Sequence, residues 1–316
     1  MKKPIKLLVG MLVLASATIA WAGSKTKVVV NGTPAPVYFN DGDSFRVVAG
    51  RMSGTKGRLA GFNTLESHGP VHKWGTWTAK ELYINAKMAT KNGRDGSWVC
   101  NSDGSKDTYG RELFDCPSLR ESQVRKGFAH AMTITAKGSA PELLKVQQEA
   151  QKNKVGMWAH GVPEFIITST HSISERSGRK YAYNRIVSTK DGHSEKVRHS
   201  KAYKECEWVC VNKVTVAPDV STKVVAQLRA DETLKEILKD FSDENLAYIA
   251  RMWLVIDQVA LMVPLKAKEN RRKISHKLEA LVASGTLVAA TTEVDSCTLF
   301  VPFKRRYGGG RASCLK

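Results

Sequence analysis

Apolar and polar positions change rhythm several times along this chain, and each rhythm predicts a different element. Residues 7–20 form one continuous apolar run. From 27 to 48 the pattern alternates as strands with one buried face do, VVVNGTPAPVYF and then SFRVV, with Asn40-Asp41-Gly42-Asp43 as the tight turn between the last two. A glycine-containing turn leads into GRLAGFNTLES at 57–67, where 59–62 read as a buried strand, Arg58 marks its entry and 63–66 form its exit loop. A polar, aromatic loop follows at 68–77. Ala79, Leu82, Ile84, Ala86 and Met88 then share roughly one helical face, and Thr78 with Glu81 makes a capping box at the start of that helix. Strands are expected at 97–100 and 112–116, and helices at 119–128 and 141–154.

Past 160 the rhythm shifts again. Residues 160–177 read as a polar linker, and 180–187 and 196–216 as strands around a turn at Lys190-Asp191-Gly192-His193. His193, His199 and the nearby lysines are expected on a solvated basic face. From 220 the pattern is helical, with a stripe through Leu246, Ile249, Met252, Trp253 and Ile256 that predicts a bundle core. A basic stretch at 266–277 leads into what resembles a two-stranded ribbon, an order similar to a winged helix. The predicted layout is 1–22 leader, 23–165 α+β domain, 166–217 linker and β-hairpin region, and 218–316 mainly helical domain of unknown function.

Composition adds a compartment and a partner. Lys2, Lys3 and Lys6, the apolar run and Ala20-Trp21-Ala22 have the order of a secretory signal peptide cleaved after Ala22, so the chain is expected to be exported, periplasmic or secreted, without stable membrane insertion afterwards. Losing those three lysines takes the formal charge from +19 to +16, an excess that favours an anionic partner, nucleic acid first. Six cysteines, at 100, 116, 206, 210, 297 and 314, suit disulfides in an oxidising compartment. Cys100 and Cys116 could meet across a hairpin. Cys206 and Cys210 in one extended strand stand about 13 Å apart, beyond disulfide reach, so Cys297 and Cys314 fit better as partners.

The segments VYFNDGDSFRV, GRLAGFNTLES, HKWGTWTAKELYI, KDTYGREL, QVRKGFAHA and QQEAQKNKVGMW stand in this order over about 37–165. Together they resemble the staphylococcal nuclease (thermonuclease) family. The resemblance implies a five-stranded OB-fold barrel with three helices, and calcium-dependent hydrolysis of DNA and RNA phosphodiesters. It implies Asp43, Asn63 and the carbonyl of Thr64 as calcium ligands, Arg58 and Arg111 as phosphate-holding arginines, Glu66 as the base that activates water, and Tyr109 as an aromatic beside the nucleotide. Two fork-shaped guanidiniums and a hard cation answer the charge of a phosphodiester transition state, and oxygen-only ligands suit calcium. Asn63 stands where the family usually has an aspartate, Leu65 replaces a proline, and Thr133 replaces a base-packing tyrosine. The departures at Asn63 and Thr133 keep a catalytically weakened nucleic-acid-binding module open, and the large C-terminal part keeps open a structural component of an envelope or secretion assembly.

Overall fold

The computed structural model describes residues 27–135, 137–259 and 268–315, so the expected leader and the expected cleavage site lie outside the described residues. Among those described, seven α-helices and five sheets make an α+β molecule. The first part contains β1 (Lys27–Val30), β2 (Thr33–Pro34), β3 (Val37–Asp41), β4 (Ser44–Val47), β5 (Lys56–Leu59), β6 (Phe62–Thr64) and β7 (His72–Trp74). It continues with α1 (Ala79–Asp95), β8 (Ser97–Cys100), β9 (Glu112–Phe114), α2 (Pro117–Arg125), β10 (Ala129–Ala131) and α3 (Pro141–Lys152). The alternating pattern does what it predicts: Phe39, Phe45, Leu59, Phe62 and Phe114 all turn inward and are buried, with the Phe39–Phe45 and Phe45–Phe114 ring centroids 5.5 and 4.9 Å apart. The strands divide into a sheet of order β3-β4-β5-β9 and a separate β6–β10 ladder. Thr78 caps α1 with Glu81 in the reciprocal box expected from their spacing.

The second part comprises β11 (Phe165–Ser169), β12 (Ala182–Ser188), β13 (Ser194–His199), β14 (Glu207–Thr215), α4 (Pro218–Arg229), α5 (Lys235–Leu238), α6 (Asp243–Ile256), α7 (Lys268–Ala283) and β15 (Thr291–Phe300). The stripe on α6 is core, as expected: Leu246, Ile249 and Trp253 pack with α4 and α7, while Met252 and Ile256 pack on the strands. No helix among the described residues is long and apolar enough to cross a membrane.

Several expectations change. Residues 72–74 are a strand, because β15 pairs with β7 on one side and β14 on the other; the expected two-stranded ribbon is therefore one long strand with remote partners. His193 does not lie on a solvated face. It is buried, its Nδ1 is 2.6 Å from the Asp191 carboxylate, and the turn that carries it docks against residues 133–139 through Thr133 N–H to the Gly192 carbonyl (2.8 Å) and Ser139 N–H to the Asp191 carbonyl (2.7 Å).

The cysteines pair as Cys100–Cys116, Cys206–Cys314 and Cys210–Cys297. Cys100 and Cys116 are joined across a hairpin, as expected: antiparallel bridges link Asn101 to Asp115 and Lys106 to Glu112, while β8 pairs in parallel with β1 and β9 in parallel with β5. Cys210 and Cys297 face each other directly across β14 and β15. The entry to β11 is fastened to the elements that follow it: Asp295 accepts from the backbone N–H of Glu164 (2.9 Å) and Phe165 (2.8 Å), and Arg251 pairs with Glu164.

Candidate active site

The β3–β4 turn, Asp41-Gly42-Asp43, is the floor of the site. Ser44 Oγ donates to Asp41 Oδ1 (2.6 Å), which closes the turn from inside. Gly42 is required there by space: a Cβ would lie 2.6 Å from Thr64 Cγ2 and 2.7 Å from Ala89 Cβ. Buried Gln123 of α2 donates to the carbonyls of Gly42 (3.0 Å) and Ala89 (2.9 Å), so one side chain fastens the turn to α1. Asp43, itself buried, faces β5 and β6. Its Oδ2 accepts from the Thr64 N–H (2.8 Å), and its Oδ1 forms an ion pair with Arg58.

Arg58 sits on β5 directly opposite Ser44 of β4, which brings its guanidinium to this floor. Its second nitrogen donates to Asn63 Oδ1 (2.8 Å), and Asn63 Nδ2 donates in turn to the Thr64 carbonyl (2.8 Å). The result is a closed ring of Asp43, Arg58, Asn63 and Thr64. Burial lowers the Arg58 pKa, but Asp43, Asp41 and Glu66 more than offset it, so the guanidinium is held charged above its ordinary value.

Glu66 is half-buried at the mouth of the β6–β7 loop. Burial raises its pKa; the Arg306 charge opposes this, Asp43 adds to it, and Arg58 and Arg111 also favour the ionised form. Arg111 therefore reaches the same field from the 106–112 turn. There Asp107 holds it through Nε to Oδ2 (2.7 Å), while the other Asp107 oxygen accepts from the backbone N–H of Tyr109 and Arg111 (both 2.9 Å). Tyr109 projects from the turn, 65% exposed, with the Arg111 guanidinium 5.6 Å from its ring centre.

Two further residues belong to this site. Asp41 carries a carboxyl raised to about 8, first by burial and then by Asp43 and Glu66. Its signal in the sequence was its place two residues before Asp43, which the Asp-Gly turn reading absorbed. Arg306 arrives from the far end of the chain and has no local signal. The Thr133 hydroxyl is engaged within its own loop, donating to the Lys137 carbonyl (2.5 Å). Among the described residues, no three or more His, Cys, Asp or Glu side chains are grouped so as to hold a metal ion.

The six site positions fall in two short stretches, Arg58, Asn63, Thr64 and Glu66 at 58–66 and Tyr109 and Arg111 at 109–111, while Asp41 and Asp43 precede both. No curated protein matches the chain. Residues 56–160 match the family model described as staphylococcal nuclease homologue, and the match supports a nuclease-like, nucleic-acid-binding function for this part of the molecule.

Proposed function

We propose that the protein is an exported phosphodiesterase that cleaves DNA and RNA, with Glu66 as general base and Arg58 and Arg111 as phosphate ligands. The observation that carries this reading is the hydrogen-bonded ring of Asp43, Arg58, Asn63 and Thr64 beside Asp41, with half-buried Glu66 in the electrostatic field of Arg58 and Arg111. Glu66 holds a water and takes its proton as the water oxygen bonds to phosphorus; the bond from phosphorus to the leaving sugar oxygen breaks, and that oxygen is protonated from solvent. A positioned carboxylate base is worth about 10² to 10⁴ in rate. Arg58 and Arg111 bind the nonbridging oxygens and oppose the charge that gathers on them.

The residues fit calcium as cofactor. The available donors are all oxygen: the Asp43 carboxylate, the Asn63 amide and the Thr64 carbonyl, with Asp41 behind them. When bound, the ion supplies fixed positive charge beside the phosphate. Three disulfides and the apolar leader support an oxidising, extracytoplasmic location. The second reading, a binding module with weakened catalysis, is favoured by one observation: Asn63 is neutral and spends its amide on the Thr64 carbonyl.

Digestion of single- and double-stranded DNA and of RNA, with calcium or with chelator, tests the proposal. Wild type should cleave only with calcium, Glu66→Gln should lose about 10²-fold or more, and Arg111→Ala should lose activity comparably. Binding without cleavage at any calcium concentration selects the weakened module. Equal cleavage by all three proteins removes the site.

A further inference from the structure

The C-terminal tail does not leave the molecule. β15 ends beside the 65–71 loop, where the Val71 carbonyl accepts from the Leu299 N–H at 2.9 Å, and the chain then folds into a short turn over Phe303–Arg305. Arg306 Nε donates to the Val301 carbonyl (3.0 Å), which fixes the start of the guanidinium. The rest of that group reaches the site across Gly69. A Cβ at Gly69 would stand 3.3 Å from Arg306 Cδ, 3.7 Å from its Nη1 and 3.6 Å from Glu66 Oε2, so Arg306 and Glu66 flank the same point of the backbone.

Tyr307 follows immediately. Its ring lies 6.0 Å from His68 and 5.7 Å from Phe303, and it remains 51% exposed, with Phe303 66% exposed beside it. His68 is itself fixed by a 2.7 Å hydrogen bond between Nε2 and the carbonyl of Asn40, the residue before Asp41. Two exposed rings and a cation therefore stand at the rim of a site whose floor is Asp41, Asp43 and Arg58.

The arrangement is held in place. Cys206–Cys314 closes the tail onto the start of β14, Arg305 pairs with Glu205 at 2.8 Å, the Arg305 carbonyl accepts from the Ala312 N–H at 2.9 Å, and Ala312 is fully buried. Large aromatic surface left in water beside a cation, on a backbone tied down on both sides, is a stacking platform for unpaired bases, with Arg as the phosphate contact.

We propose that the tail is the second half of the nucleic-acid site: Arg306 binds a backbone phosphate flanking the scissile one, and Tyr307 stacks on the neighbouring base of an unpaired strand. This rests on the phosphodiesterase reading of Glu66, Arg58 and Arg111. It adds a specificity, because a base already stacked in a duplex presents no face to Tyr307. Single-stranded substrate is therefore bound more tightly than duplex, and the preference resides in the tail.

Fluorescence anisotropy of the full-length protein with a labelled single-stranded oligonucleotide, in chelator to prevent cleavage, separates the tail from the chemistry. Tyr307→Ala should weaken binding about tenfold, and Tyr307→Phe should restore it. Tyr307→Leu, which keeps bulk without a ring, should behave as the alanine variant does. Arg306→Ala should weaken binding and lower the slope of log Kd against log salt by about one phosphate contact. With calcium, Tyr307→Ala should raise KM on single strands with little change in kcat, and leave duplex cleavage near wild type. Unchanged affinity in Arg306→Ala and Tyr307→Ala, with wild type binding normally, overturns the tail site and leaves the catalytic reading standing. Failure of wild type to bind or cleave any nucleic acid overturns both.

Discussion

Asn63 occupies two hydrogen bonds at once, accepting from Arg58 and donating to the Thr64 carbonyl, both at 2.8 Å. An aspartate cannot make the second of these. In Asn63→Asp the Thr64 carbonyl is released and a negative charge is added beside Asp43, and unit charges about 4 Å apart in a partly buried site interact by roughly 4 kcal/mol. Part of that gain goes to Arg58, which becomes the shared partner of two carboxylates. The remainder should lower the calcium concentration for half-maximal cleavage about tenfold or more, read from a calcium titration of DNA digestion. An unchanged titration would mean that Asn63 does not face the ion. The grouping of Arg58, Asn63, Thr64 and Glu66 came from the family resemblance of GRLAGFNTLES, and the structure joins the first three to Asp43 in one ring even though the expected single strand is split into β5 and β6. Asp41 was equally close to Asp43, yet its role depends on burial and on neighbouring charge, which a turn pattern does not reveal.

At the scale of elements, the β3–β4 turn is positioned by α2 as well as by its own strands. Gln123 is fully buried, and its amide supplies the donor that the Gly42 carbonyl accepts. Leucine has nearly the same volume and no donor, so Gln123→Leu leaves that carbonyl unpaired in the interior at a cost of about 1–3 kcal/mol. Chemical denaturation should show a loss of that size. Activity should fall by more than the folded fraction accounts for, because the freed turn carries Asp41 and Asp43. Full activity in the folded variant would show that the strands alone hold the carboxylates. The helices that carry these contacts were visible in the sequence, α1 from its capping box and from Leu82 and Ala86, although Ile84 and Met88, expected on the same face, are exposed. Their contact with the turn was not, since a buried glutamine in α2 looks like any polar position until the partner carbonyl is placed beside it. The same limit hid β7, whose three residues become a strand only when β15 pairs with them, and Arg306, which reaches Glu66 only through that pairing.

For the whole molecule, the β7–β15–β14 sheet joins the site-bearing part to the end of the chain, and His72 stands at this junction. Its cross-strand partner is Thr298, its Nε2 is 2.9 Å from the Ile167 carbonyl, and burial lowers its pKa to about 4. Above about pH 6.5 the imidazole is neutral in both folded and unfolded chains and costs nothing. Between about pH 6.5 and 4 the unfolded chain takes up a proton that the native state refuses, so stability falls as the pH falls, by a few kcal/mol in order of magnitude, and this group adds no further loss below that window. His130 is also lowered to about 4 by burial and acts in the same sense, whereas Asp41, raised to about 8, acts in the opposite one. The diagnostic is therefore the difference between wild type and His72→Gln, followed by chemical denaturation from pH 7.5 to 4. Glutamine keeps a donor for the Ile167 carbonyl and has no proton to gain, so the variant should lose less stability than wild type across that window. Parallel curves would mean that His72 is protonated in the native state, and that the junction between the nuclease-like part and the C-terminal strand opens to water.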